Sequence, residues 1–170
     1  MPNWVSNKLT IKANNVKEVL EFIESKHSDE PSVFDFNNVI PMPKALNCVS
    51  SVGDLSDKQQ INMRIYGYKD WYDWRIAKWG TKWNASDAVV KDNTVKFDTA
   101  WDVAWPVIFR LSELFPEVEF GLHCSEEADF FNFDATVCNG QVTYIYDNQK
   151  EHKYSDKELE EANEALKSRN

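Results

Sequence analysis

Residues 4–12, Trp-Val-Ser-Asn-Lys-Leu-Thr-Ile-Lys, alternate with a period of two. Val5, Asn7, Leu9 and Ile11 fall on one face, and Trp4, Ser6, Lys8, Thr10 and Lys12 on the other. That is the repeat of a half-buried β-strand. The same alternation returns at Val118, Phe120, Leu122 and Cys124. Two hairpins complete the pattern. Asp92-Asn93 reads as a two-residue turn. With Lys91 opposite Thr94, Val90 meets Val95 and Ala88 meets Phe97. Asn139-Gly140 is the strongest turn signal in the chain. With Cys138 opposite Gln141, Val137 meets Val142, Ala135 meets Tyr144 and Phe133 meets Tyr146. Asp134, Thr136, Gln141 and Thr143 then share the wet face.

Helical spacing fills the intervals. Asn15 and Glu18 stand as a capping pair before Val16, Val19, Leu20 and Ile23, and this helix is expected to end near His27. Pro106 suits a first helical turn, and Val107, Ile108, Leu111, Leu114 and Phe115 form the stripe behind it. Ser155 and Glu158 open a terminal helix over about residues 155–168, with a thin stripe of Leu159, Ala162 and Leu166. Residues 29–83 read as an insertion. Pro31, Pro41 and Pro43 interrupt it, Gly53–Asp57 reads as loop, and Phe34, Phe36, Val39 and Ile40 are its expected anchors. Within it, Lys69–Trp79 is expected to be helical, with Tyr72, Ile76, Trp79 and Trp83 near one stripe and Gly80 at C′. Without the insertion the order is βαββαβ, the split βαβ unit of ferredoxin-like folds. The expectation is one α+β domain over residues 1–170. It is a ferredoxin-like βαββαβ sandwich with a helical insertion after the first helix, an extra C-terminal hairpin and a terminal helix.

Composition limits the chemistry. Seven Trp and ten Phe in 170 residues imply a packed core. Cys48, Cys124 and Cys138 form no C-x-x-C pair, so reduced thiols in a cytoplasmic protein are the simplest reading. Nothing in their spacing calls for a metal or other cofactor. No apolar run approaches the roughly 18 residues of a membrane span, so no membrane partner is expected. The net charge of −9 disfavours general coating of nucleic acid; it reads as a source of solubility or, more sharply, as an acidic surface that attracts a basic partner.

No P-loop, Rossmann glycine pattern, nucleophile elbow or zincin motif is present. His123 and Cys124 are neighbours, and neighbours on a strand face opposite ways. Glu126, Glu127 and Asp129 lack the glycine bend and alternating ligands of a calcium loop, and read as a solvated turn. The unusual feature is the run from Trp71 to Asn84. Its candidate binding residues are Trp71, Trp74, Arg75, Lys78, Trp79, Lys82, Trp83 and Asn84. Aromatics interleaved with cations suit a protein hot spot or a base-stacking platform. They suit also a clamp that fastens the insertion to the sheet, with the cations covering the rings.

Several segments carry a family resemblance. They are Met1-Pro2-Asn3-Trp4, Phe34-Asp35-Phe36-Asn37, Ile40-Pro41-Met42-Pro43, Trp71-Tyr72-Asp73-Trp74-Arg75, Trp79-Gly80-Thr81-Lys82-Trp83-Asn84 and Phe97-Asp98-Thr99-Ala100-Trp101. Together they resemble the YubB-like ferredoxin-domain proteins carried by phages and plasmids, over roughly residues 1–147. The chain departs from the family pattern at Val5, where a Cys is usual, and at Glu126–Asp129, where a glycine-containing turn is usual. The resemblance implies the fold and a mobile-element setting. It implies no iron–sulfur cluster and carries over no catalytic residue.

Three functions follow as expectations. The first is a non-enzymatic module that binds a host or mobile-element protein through an acidic sheet face or the Trp71–Asn84 segment, acting against a host defence system. The alternative is single-stranded nucleic acid binding by the Trp71–Asn84 segment. The third is an enzyme, which would need a deep pocket joining Asp73, Arg75, Asp98 and His123.

Overall fold

The computed structural model describes residues 3–25, 32–50 and 53–168. Strand β1 (Trp4–Lys12) leads into α1 (Val16–Ile23). Three helices, α2 (Phe36–Val39), α3 (Asp57–Tyr66) and α4 (Trp71–Trp79), and a 3₁₀ turn at Lys44–Leu46 follow. Then come β2 (Ser86–Lys91), β3 (Thr94–Ala100), α5 (Trp105–Leu114), β4 (Glu119–Glu126), β5 (Asn132–Cys138), β6 (Gln141–Asp147), β7 (His152–Lys153) and α6 (Asp156–Ser168). The seven strands form one sheet in the order β2-β3-β1-β4-β5-β6-β7. Every pairing is antiparallel. The first four strands thus have the ferredoxin-like arrangement expected from βαββαβ, and β5 to β7 extend it beyond β4.

One face of this sheet is dry. Val5, Leu9 and Ile11 of β1, Val95 and Phe97 of β3, Phe120, Leu122 and Cys124 of β4, and Ala135 and Val137 of β5 are buried. Val19, Ile23, Phe36, Trp74, Trp79, Ile108 and Leu111 of the helices join the same core. Phe34 is central, edge-on to Phe36 at 5.0 Å and to Phe97 at 4.9 Å, a preferred aromatic geometry. Asn7 is the polar member of the β1 inner face. Its amide donates to the Val5 carbonyl (2.9 Å) and to the Thr99 hydroxyl (3.0 Å), and its Oδ1 accepts from the Cys124 thiol (3.1 Å). A satisfied buried amide of this kind costs little and fixes register.

The elements differ from expectation in four places. Helix α1 stops at Ile23, because Glu24 turns extended and the Ile23 carbonyl accepts from Asp35 N–H instead. His27 lies outside the described residues. Asn15 occupies the N-cap position, but its side chain accepts no backbone bond and instead donates to Glu18. Residues 57–66 are helical although their apolar pattern is inverted. Gln59 and Asn62 face inward, while Ile61 and Ile65 are 55% and 66% exposed. Asn62 holds α3 by donating to the Lys69 and Ala45 carbonyls at 3.1 and 3.2 Å.

Fourth, two bulges alter the hairpins. In β2–β3, Lys91 faces Thr94 and Val90 faces Val95 as expected, but the register then shifts between Ser86 and Val89. The ladder is interrupted next to Ala88, which packs on the core, and Val89 and Val90 remain exposed on an edge strand. In β5–β6, Val137 faces Val142, and the next step pairs Thr136 with Tyr144. Ala135 therefore meets Ile145, and Phe133 meets Asp147. One extra residue on β6 puts Ile145 in the core and turns Tyr144 and Tyr146 to the wet face.

Candidate functional site

The Trp71–Asn84 segment divides into a clamp and a surface. Asp70 caps α4 by accepting from the backbone N–H groups of Tyr72 (3.0 Å) and Asp73 (3.2 Å). Gly80 ends the helix in the left-handed region at φ 79°. A Cβ at Gly80 would meet Pro106 at 3.0 Å and the Val103 carbonyl at 3.2 Å, so the exit of α4 lies tight against the start of α5.

The clamp consists of Trp74, Trp79 and Asn84. Trp74 and Trp79 are buried and meet edge-to-face at 5.7 Å. The Trp79 indole N–H donates to the Ile40 carbonyl at 2.9 Å. The Asn84 Oδ1 accepts from Phe36 N–H at 2.8 Å, and its Nδ2 donates to Asp35 at 2.8 Å. These contacts lock the insertion to the β2 side of the sheet. They also show that the buried stripe of α4 is not the expected one, since Ile76 is exposed. The stripe is centred near Arg75, whose guanidinium lies 5.1 Å from the Trp71 ring and 4.8 Å from the Trp79 ring. Burial lowers the Arg75 pKa, and the Asp35 charge partly opposes that. Lys78 is half-buried on the same side of the helix.

The surface is centred on Lys82. Its ammonium stands 4.6 Å from the Trp83 ring, 5.2 Å from Trp101 and 5.7 Å from Tyr72. Trp83 also packs on Trp4 at 5.7 Å. Three aromatic rings, from α4, the following loop and the residue after β3, thus surround one cation, and Trp4 of β1 backs Trp83. Trp4, Tyr72 and Trp101 come from outside the eight residues singled out in sequence. Trp101 is 45% exposed and has φ 70°, a left-handed conformation that a bulky side chain rarely adopts. Its N–H donates to the Asn3 carbonyl at 2.8 Å, which fixes it beside the start of β1.

This arrangement bears on each expected chemistry. Arg75 and Lys82 are set against the chain's own rings. Asp73, Arg75, Asp98 and His123 are not brought together. Asp73 pairs with Lys69 at 3.2 Å, Arg75 lies in the helical layer, and His123 bonds Asp134 at 2.9 Å on the wet face of the sheet. Cys124 is on the dry face, where burial, with Asp102 and Asp134 nearby, holds its thiol well above its ordinary pKa. Among the described residues no three His, Cys, Asp or Glu side chains are placed to share a metal ion. No helix among them is long and apolar enough to cross a membrane.

The wet face is the second surface of interest. Cross-strand register places Lys96, Lys8, His123, Asp134, Tyr146 and Lys153 in a single row from β3 to β7. A parallel row runs Thr94, Thr10, Gly121, Thr136, Tyr144. Between them lies a shallow groove of about 260 Å³ lined by Lys8, Thr10, His123, Thr136 and Tyr144.

Comparison with known proteins places this architecture. No curated protein and no solved structure matches the chain. Residues 78–167, from the last turn of α4 to the last turn of α6, match the model described as the ferredoxin-like domain in Api92-like protein. That match covers more than half of the chain and agrees with the sheet order and the α+β layering, so the protein belongs to the family of ferredoxin-like domains in Api92-like proteins.

Proposed function

We propose that the chain is a non-enzymatic protein-interaction module whose contact surface is the aromatic end of the sheet around Lys82. The partner is a host or mobile-element protein. The setting is an accessory gene of a phage or plasmid, acting against a host defence system. The observation that carries the reading is Trp101. A large ring is 45% exposed on a backbone held at φ 70°, against a cation that the Tyr72 and Trp83 rings also contact. Strain of order 1–3 kcal/mol persists where something else selects the geometry. Clustered Trp and Tyr are the residue types that dominate binding hot spots. The net charge of −9 adds long-range attraction for a basic partner. The setting is supported by the likeness of the tryptophan segment to phage- and plasmid-borne proteins.

A photo-reactive residue placed at position 101 in host cells tests this, with position 160 on the exposed side of α6 as the control. A discrete adduct from position 101, absent from position 160 and lost on Lys82→Glu, is the expected result. Identical adducts from both positions, or none from position 101, sink the reading.

A further inference from the structure

The wet face of the sheet carries a like-charge conflict. Lys8 and Lys96 stand directly opposite each other on β1 and β3. Like charges in that position repel. Among the described residues, neither lies within ion-pair distance of a carboxylate, whereas Lys12 on the same strand pairs with Glu119. Lys153 lies at the far end of the row, its ammonium 5.6 Å from the Tyr144 ring. Asp134 accepts from Asn148 at 2.9 Å and bonds His123, and Glu119 pairs with Lys12. Asp98, two residues beyond Lys96, bonds the Ser6 hydroxyl and has Asp87 and Glu127 within electrostatic reach, so the acidic end of this face lies beyond Lys96.

The same face carries rings. The β6 bulge puts Tyr144 and Tyr146 there, although strict alternation from Val142 puts Tyr144 inside. Gly121 leaves a dip in the floor between Thr10 and Thr136, so the groove is bordered by hydroxyls, cations and a phenol ring. From Lys96 to Tyr146 the row crosses four strand spacings, about 19 Å. That is long enough for several linked anions and too open for one small ligand.

We propose that this face binds single-stranded nucleic acid, independently of the aromatic surface around Lys82. Lys8 and Lys96 take adjacent phosphates, which relieves their mutual repulsion. Bases stack on Tyr146 and Tyr144, and a base on Tyr144 displaces the Lys153 ammonium toward the backbone. Hydroxyls of Thr10 and Thr136 supply neutral polar contacts in the groove. The net charge of −9 weakens the binding without reversing it. The acid-rich α6 packs on the opposite side of the sheet through Leu159 and Ala162, and charges farther than about 10 Å are screened at 0.1 M salt.

With phosphate contacts from Lys8, Lys96 and Lys153, affinity should fall roughly 100-fold per tenfold rise in salt, from a single-strand slope of about −0.7 per phosphate contact. Fluorescence anisotropy with labelled twelve-nucleotide dT and rU strands measures it between 20 and 200 mM salt (roughly the range in which such contacts weaken). The expected result is saturable binding at the low end with that salt dependence. Lys8→Glu with Lys96→Glu should abolish it, and Tyr146→Ala should weaken it about tenfold at unchanged salt slope, as loss of one stacked base implies. Trp101→Ala should leave it unaltered. Near-ultraviolet circular dichroism verifies that each variant is folded. No binding at low salt overturns the proposal, as does undiminished binding by the double Lys variant. Displacement by millimolar pyrophosphate together with indifference to Tyr146→Ala also overturns it, because the face is then a simple anion site.

Discussion

At the scale of single residues, the chain places cations where their own surroundings do not neutralise them. Lys82 is held by rings, Arg75 is partly buried between two indoles, and Lys8 faces Lys96. The last arrangement has a stability consequence that binding would not reveal. Lys96→Glu replaces a repulsive cross-strand pair by an attractive one and should stabilise the fold by about 0.5 kcal/mol, within the range for such pairs. Urea denaturation at low salt measures this, and the gain should shrink in 1 M salt as the charges are screened. A loss of stability at low salt would contradict the cross-strand placement. Identity alone revealed that Trp71–Asn84 is unusual, but it could not rank the rings. Trp74 and Trp79 are core, whereas Trp83 is half-buried against Trp4.

At the scale of elements, local signals and packing disagree in an instructive way. Helix α3 carries a full capping box, Ser56 with Gln59, and a left-handed Gly67 at its end, both visible in the sequence. Its periodicity concealed it, because amides rather than apolar groups face inward. Helix α6 shows the opposite. Its thin stripe is legible, none of its described residues is fully buried, and its start depends on Glu158. The Ser155 backbone N–H and hydroxyl, with His152, hold the Glu158 carboxyl down to about 2. An unfolded glutamate titrates near about 4.3. A depressed folded value stabilises fully above the unfolded value, and that contribution is lost as pH falls toward the folded one. Helix α6 should therefore loosen as pH drops from about 4.5 to about 2. Its amides should lose exchange protection ahead of those in α5, and Glu158→Gln should show the loosened state already at pH 7. Equal loss in both helices would contradict this.

At the scale of the whole molecule, Asn84 joins the insertion to the strand that enters the sheet. Asn84 bridges the Phe36 N–H, the Asp35 carboxylate and the Ala85 N–H from the segment that enters β2. Asn84→Ala leaves partly buried groups without partners and should cost about 2 kcal/mol, the order expected for orphaned polar groups. Urea denaturation checks the size. Hydrogen exchange should show the loss concentrated in α2 and α4, with β4 and β5 spared. A uniform loss across the sheet would mean that the insertion is not a separately anchored layer.

Period-two alternation, turn dipeptides and caps are properties of a few consecutive residues, so the sequence by itself determined the seeds of the sheet. It identified β1, β4, both hairpin turns, α5, α6 and the ferredoxin-like order. The tertiary structure decided what depends on distant partners. Trp4 meets Trp83, and Trp101 is held beside the start of β1, only because β1 pairs with β3 and the α4 exit crosses that end of the sheet. Tyr144 and Tyr146 reach the wet face only because the inner layer takes Ile145 and forces an extra residue into β6. Both outcomes are set by competition for burial between segments far apart in the chain, which no local pattern records.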